Sequence, residues 1–340
     1  MNNRKHYLDN LRAFTILLLF PFHIFMIYNN WGENFYVHGE SLFIPSVFNE
    51  LLSFWMMPLL FAVAGISSRY ALTKRSTGEY MRERVFKLLL PLIFGLLIVV
   101  PVQPYLAGLY YNGSANYFDS FTKITDLSGY DGAFAVAHLW FILFLFVISM
   151  VCLPFMIWYK NKGKGTRENN TPLILVILTG LLPCIGSMVD IGGKSPTEYL
   201  AYFLLGYFFL ANDNLLKKLD KYRFLLLGMT ILYSVFTRVV IDGEFYEMAS
   251  WLWILTILGM GSHYLNFNGR ITSYLSNASF GVYIFHQSWI VVAAFFIFKL
   301  TNNSILQITL IFLISVILTY LTYEVCRRIP VCRLMFGLKK

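Results

Sequence analysis

The chain has 340 residues, of which 57% are hydrophobic and only 13% charged. A soluble domain is about one quarter charged, so this composition excludes an ordinary soluble enzyme and predicts a membrane protein. The formal net charge of +9, from 27 Lys and Arg against 18 Asp and Glu, would suit an acidic partner, but the basic residues sit at the ends of apolar runs, where they mark topology rather than nucleic-acid binding.

At about 20 apolar residues per crossing, the chain predicts an all-α integral membrane bundle of about ten transmembrane helices. Residues 1–340 then form a single transmembrane domain with no separate soluble domain. The opening MNNRKHYLDNLRAFTILLLF has the basic head and apolar run of a signal peptide, but it carries Pro21 and His23 and continues into the polar IYNNWGENFY. No small-residue cleavage site follows, so a retained first helix is expected. The ten predicted segments run over 11–28, 47–67, 85–105, 137–158, 173–190, 198–211, 222–241, 249–265, 277–298 and 305–325. Stretches such as FKLLLPLIFGLLIVV are apolar on every face and lack the period-two alternation of a β-barrel strand.

Lys and Arg concentrate on the cytoplasmic side of membrane helices, and here they alternate between connections. Arg4, Lys5 and Arg12 precede or open the first segment; Arg69, Lys74, Arg75, Arg82, Arg84 and Lys87 lie between the second and third. Lys160, Lys162, Lys164 and Arg167 follow the fourth, Lys217, Lys218, Lys221 and Arg223 the sixth, and Arg270 the eighth. Arg327, Arg328, Arg333, Lys339 and Lys340 complete the set, while the opposite side holds Lys123, Lys194, Lys299 and Arg238. Both termini are therefore expected in the cytoplasm. The longest outer connection, 106–136, is rich in Gly, Tyr, Asp and Ser and is suited either to covering an outward-facing site or to a plain polar loop.

Ionisable groups inside apolar spans are costly, so they are the best pointers to function. The first span carries Asp9, Arg12 and His23. His23 lies eleven positions after Arg12, which puts both on one helix face about 16 Å apart along the axis. Asp9 is placed to pair with Arg12, and Pro21 is expected to bend the helix near the imidazole. His138 opens the fourth span in AHLWFILFLF, and His286 lies within the ninth in SFGVYIFHQSW, with Tyr283 on its face and Gln287 and Ser288 at its depth. A lone span histidine often serves packing alone, but three at compatible depths suit a common cavity. A neutral imidazole there can take a proton from an attacking hydroxyl.

The chain has no GxSxG nucleophile elbow and no HExxH metal motif, and Cys152, Cys184, Cys326 and Cys332 show neither metal nor disulfide spacing. Direct transfer between two bound substrates, without a metal or tightly bound cofactor, is the simpler expectation. On the inner side, Arg69, Arg82, Arg84 and Lys87 are candidates for the phosphates of an anionic donor such as a coenzyme A ester, beside the alternative of ordinary inside-positive orientation. Glu324 is expected to pair with Arg327 or Arg328, and Arg238 with Asp242. A transporter of a small solute or glycan precursor is the competing class, although the internal repeat common in transporters is missing.

YLDNLRAFTILLLFPFHIFMIY resembles the opening of the acyltransferase 3 family of integral membrane acyltransferases, in which an Arg is followed after ten residues by a His, as Arg12 and His23 are here. FAVAGISSRY, RERVFKLLLP, HLWFILFLF, SFGVYIFHQ and YLTYEVCRRIP are similar to later family segments in the same order, so the resemblance covers nearly the whole chain. It implies a ten-helix bundle of the bacterial cytoplasmic membrane. Such a protein moves an acyl group, acetyl or succinyl, from cytoplasmic acyl-CoA to a hydroxyl of a glycan, lipid-linked or other cell-envelope acceptor. By that likeness His23 leads the catalytic set and Arg12 supports it or the donor, with glucan-modifying stand-alone members the nearest type. AVAG in the second span departs from the frequent Leu-Ser-Gly pattern, so no role of a serine there is carried over.

Overall fold

The computed structural model describes residues 5–32, 35–162, 171–190, 193–240 and 245–339. Among them the protein is helical, with no β-strand. Among the described residues each of the ten predicted segments overlaps helical structure, but the helices differ in length. Five are long and apolar enough to cross a bilayer: His6–Met26, Phe43–Lys74, Thr77–Asn112, Arg270–Ile297 and Ser304–Arg328. A sixth is added if Ala137–Val151 and Leu153–Asn161, bent by 44° at Cys152 with Pro154 in the first turn beyond, count as one span. The segment at 173–190 is divided into Leu173–Leu178 and Leu181–Gly186, and that at 198–211 into Pro196–Leu205 and a π-helical turn Gly206–Leu210. The segment at 222–241 forms the 17-residue helix Arg223–Val239, and that at 249–265 forms Tyr246–Tyr264.

The chain packs as two compact units. The first comprises Met1–Arg12, Ser53–Arg84 and Phe144–Thr272. Its helices come close because glycines leave room for a facing backbone: a Cβ on Gly65 would stand 2.0 Å from the carbonyl oxygen of Phe203, and one on Gly206 2.1 Å from that of Ala62. Contact of this kind between membrane helices relies on dispersion and small residues, since lipid offers no hydrophobic advantage. Polar side chains then close the helix ends. Asn10 Nδ2 donates to the carbonyls of Leu265 and Phe267 at 2.7 and 2.8 Å, at the end of Tyr246–Tyr264. Thr230 and Thr256 share a buried hydroxyl hydrogen bond of 2.8 Å.

The second unit comprises Ala13–Leu52, Val85–Leu143 and Ser273–Lys340. Arg270–Ile297 is the most enclosed of the five long helices, and it presents Tyr283, His286, Gln287 and Ser288 as buried residues. Gly281 lets it approach Ser304–Arg328: a Cβ there would meet the Tyr323 ring at 2.6 Å. Near the C-terminal end of that last helix Glu324 takes both expected partners, Arg327 at 2.8 Å and Arg328 at 3.3 Å, and also accepts from Tyr274 Oη. Arg4, Lys164, Arg167 and Lys340 lie outside the described residues, as does Asp242, the expected partner of Arg238.

Candidate functional site

The first helix runs unbroken through Pro21. Pro lacks the N–H that would bond four residues back, yet the helix continues and carries His23 in its last turn. Asp9 and Arg12 pair as expected at 3.1 Å, with both side chains part-exposed. Arg12 thus sits on the His23 helix, eleven residues earlier in the chain.

His23, His138 and His286 come together in the second unit. The ring of His286 is central: its centroid lies 5.1 Å from that of His23 and 5.1 Å from that of His138. Phe20 packs edge-on against it at 5.8 Å, and Tyr283 lies at 6.0 Å. His286 and His138 are buried and bonded to backbone carbonyls, His286 Nδ1 to Tyr283 at 2.8 Å and His138 Nε2 to Ile284 at 2.9 Å. Tyr283 Oη in turn donates to the carbonyl of His138. The turn that begins with Ala137 and carries His138 has an unusual backbone, because Ala137 adopts φ +50°. That is the left-handed region, which disfavours a residue with a Cβ.

Next to the imidazoles along the chain is a buried amide chain. Gln287 Nε2 donates to Gln103 Oε1 at 3.0 Å, Gln103 Nε2 to Ser288 Oγ at 2.7 Å, and Ser288 Oγ to the Val99 carbonyl at 2.8 Å. Gln103 is fully buried. Its signal in the sequence is an amide within VVPVQPYL between two prolines, a neutral group that does not stand out among the ionisable residues of the spans. Three buried acceptor atoms of this region meet no hydrogen-bond donor among the described residues: His286 Nε2, His138 Nδ1 and Gln287 Oε1. Since buried polar atoms are nearly always bonded, such a concentration marks the place where a ligand's donors fit.

Aromatic rings cover His23. Phe35 stacks on His23 with centroids 6.1 Å apart and an 18° tilt, and Tyr130 packs on Phe35 and Tyr36 at 6.3 and 5.1 Å. Tyr36 Oη donates to the Ser128 carbonyl at 3.0 Å, and Tyr111 Oη to that of Phe35 at 2.7 Å. Burial pushes the Tyr36 phenol well above its ordinary range, so it stays a neutral donor. The long connection 106–136 is thereby packed, through Tyr130 and Ser128, against the residues that cover His23. Asp126 anchors its turn by accepting from the hydroxyl and N–H of Ser128, which holds its carboxyl below the usual range.

The candidate donor residues are distributed differently. In the first unit Arg69 is buried and donates through Nη1 to the carbonyls of Tyr207 and Phe208 at 3.0 and 3.2 Å. These carbonyls belong to the π-helical turn, and a cation there meets the negative end of the helix. Arg84 lies over the Tyr80 ring and donates to Ser68 Oγ at 3.0 Å, and Tyr80 Oη donates to the same oxygen. Arg82 is exposed. Lys87, in the second unit, is also exposed. All four cysteines are free thiols, and no group of His, Cys, Asp or Glu suited to a metal ion occurs among the described residues.

Glucans biosynthesis protein C of Escherichia coli K12 is 23% identical over 375 aligned positions, covering 98% of this chain and 94% of the relative. The proteins of the same name from Escherichia coli O6:K15:H31 and Salmonella paratyphi B are 22% and 21% identical with the same coverage. No solved structure matches. The model of the acyltransferase domain matches residues 5–324, which takes in all three histidines, and the chain therefore belongs to the acyltransferase 3 family of multi-pass membrane enzymes that transfer acyl groups other than aminoacyl groups.

Proposed function

We propose that the protein is a membrane O-acyltransferase that moves an acetyl or succinyl group from acyl-CoA to a hydroxyl of a cell-envelope glycan or lipid-linked acceptor. The observation that carries this reading is the meeting of three imidazoles, with His286 5.1 Å from each neighbour, in a region free of any nucleophile motif. Neutral histidine is the natural base for an alcohol near neutral pH. In the proposed step His23 accepts the hydroxyl proton, the alkoxide oxygen forms the new C–O bond, and the thioester C–S bond breaks. The departing sulfur then takes up the proton. Arg12 supports His23 or the donor, while His138 and His286 orient the acceptor. Arg69, Arg82, Arg84 and Lys87 contribute to the donor's phosphate side, and no tightly bound cofactor is required. The relatives' name, which refers to glucan synthesis, favours a glucan among acceptors.

The topology of this reading is a single domain of ten spans in the bacterial cytoplasmic membrane, both termini inside, so that donor and acceptor meet from opposite faces. The alternation of 23 basic residues against four supports it. The test uses purified protein, radiolabelled acetyl-CoA and candidate glucans. Transfer to polysaccharide is expected, and His23→Ala is expected to reduce it about 10²- to 10⁴-fold, the usual worth of a general base. Undiminished labelling by the variant removes His23 from the chemistry, and uptake of an unmodified solute into vesicles replaces transfer with transport.

A further inference from the structure

The hydrogen bonds around His286 have a direction, and backbone carbonyls fix it. The N–H of Gln103 donates three residues back, to Val100 at 2.9 Å, and the Val99 carbonyl takes the Ser288 hydroxyl. A carbonyl oxygen only accepts, so the one proton of Ser288 Oγ is committed to Val99, and towards Gln103 that oxygen can only accept. Gln103 must therefore turn its Nε2 to Ser288 and its Oε1 to Gln287, and Gln287 must turn its Nε2 to Gln103. The bonds of 3.0, 2.7 and 2.8 Å all run towards Val99. Gln287 Oε1 is left at the far end as a bare acceptor.

The same reasoning orients two imidazoles. His286 carries a proton on Nδ1, which donates to the Tyr283 carbonyl, and His138 on Nε2, which donates to that of Ile284. In the neutral rings Nε2 of His286 and Nδ1 of His138 can then only accept, and both are buried without a donor among the described residues. His286 and Gln287 are consecutive, and the His138 ring packs on that of His286 with centroids 5.1 Å apart. This stretch of Arg270–Ile297 thus gathers three neutral acceptor atoms, each oriented by bonds that end on a backbone carbonyl. All three residues are more than nine-tenths buried.

We propose that Gln287 is a substrate-binding residue, and that its Oε1, with His286 Nε2 and His138 Nδ1, takes the hydroxyl donors of a neutral polyhydroxy compound such as a sugar of a glucose polymer. The chemistry of the three atoms selects this class. A phosphate or carboxylate would set lone pairs against lone pairs. An ammonium would bring into a low-dielectric interior a charge that three neutral atoms do not balance. A hydroxyl brings one proton and no net charge. Because each hydroxyl donates only once, three bare atoms call for more than one of them, so the site favours a polyol over a simple alcohol. The catalytic meaning rests on the acyl-transfer reading: hydroxyls held here set which other hydroxyl of the acceptor is acylated. Binding itself does not depend on turnover.

The probe is a radiolabelled glucose oligosaccharide, added without acyl donor to the full chain in nanodiscs. Nitrogen-15 NMR of histidine-labelled protein supplies the first arm, the signals being assigned by their loss in His286→Gln and His138→Gln. His286 Nε2 and His138 Nδ1 are expected at the position of a bare lone pair, and to move towards that of a hydrogen-bonded one as the oligosaccharide saturates. Signals that start at the bonded position and ignore the sugar mean a buried water only and overturn the proposal, as do bare signals that never move. Binding affinity supplies the second arm. Gln287→Met removes the acceptor oxygen and is expected to weaken oligosaccharide binding about 10- to 100-fold. Gln287→Glu also loses the amide that donates to Gln103, but it keeps an oxygen at the Oε1 position and is expected to retain most of the affinity. Equal losses in the two folded variants make Gln287 architecture and reject the site; where Gln287→Met does not fold, the histidine signals of the unaltered protein decide. Acyl transfer to the oligosaccharide without a histidine shift removes this site and leaves the acyl-transfer reading standing. Binding with the shift but without transfer does the reverse.

Discussion

Arg69 of the first unit and His286 of the second are both buried polar residues in a chain of apolar helices, yet they stand in opposite situations. The guanidinium donates to two carbonyls of one helical turn; the imidazole has one nitrogen tied to Tyr283 and the other left as a bare acceptor. Burying a polar group is expensive unless it is bonded, so a satisfied one serves the architecture and a half-satisfied one marks where the architecture stops and a ligand begins. The proposed reacting centre lies around His286 in the second unit, and Arg69 is first a clamp on the π-helical turn Gly206–Leu210.

The largest effect that tests this contrast is removal of the clamp. Arg69→Met keeps the aliphatic volume and leaves the Tyr207 and Phe208 carbonyls without this donor, a loss of about 1–3 kcal/mol of stability. Thermal unfolding in detergent is expected to show it, with the KM for acetyl-CoA in the surviving folded protein moving less than in Arg82→Ala or Lys87→Ala, whose side chains are exposed. A stable Arg69→Met with a large rise in that KM reverses the contrast and makes Arg69 a donor-binding residue outright.

A second effect belongs to the amide chain. Gln103→Leu removes the acceptor of Gln287 Nε2 and the donor to Ser288 Oγ in one change. The remaining buried groups lose their partners, for about 1–3 kcal/mol, and Gln287 is no longer held in place next to His286. Stability and transfer rate are therefore expected to fall together. A fall in stability alone makes the amide chain architecture, like Arg69.

What the sequence disclosed divides along the same line. The three histidines were legible because each interrupts an apolar run, and their helices bring them within contact. Asp9 with Arg12 and Glu324 with Arg327 were legible because pairs three residues apart share a helix face. The partner of Arg69 was not, since a backbone carbonyl exposed by a π-turn has no side chain to announce it. Gln103 went unnoticed because a neutral amide shifts a hydropathy profile little. Helix length was the least legible feature: LILVILTGLLPCIG reads as one apolar segment, but the helix is interrupted at Thr179 and Gly180, where a Cβ on Gly180 would meet the Trp251 ring at 2.5 Å.

The smallest effect concerns Ala137. At φ +50° its Cβ costs about 1–2 kcal/mol, a strain that Ala137→Gly removes. Glycine also enlarges the unfolded ensemble, which takes back about 0.4–1 kcal/mol, so the net expectation is a gain of between zero and about 1.6 kcal/mol. Ala137→Val, β-branched and less tolerant of that region, is expected to lose more than 1 kcal/mol. The informative quantity is activity in the glycine variant. His138 follows directly, and its carbonyl receives the Tyr283 hydroxyl, so the strained turn sets where that acceptor stands. Strain concentrates at functional sites when the surroundings hold a residue in a rare conformation. A glycine variant that is more stable but slower shows that the turn must be stiff to keep Tyr283 and His138 aligned. One that is more stable and equally fast shows that the aromatic and carbonyl contacts fix His138 by themselves, which leaves the bare lone pairs as the property of this unit that matters for chemistry.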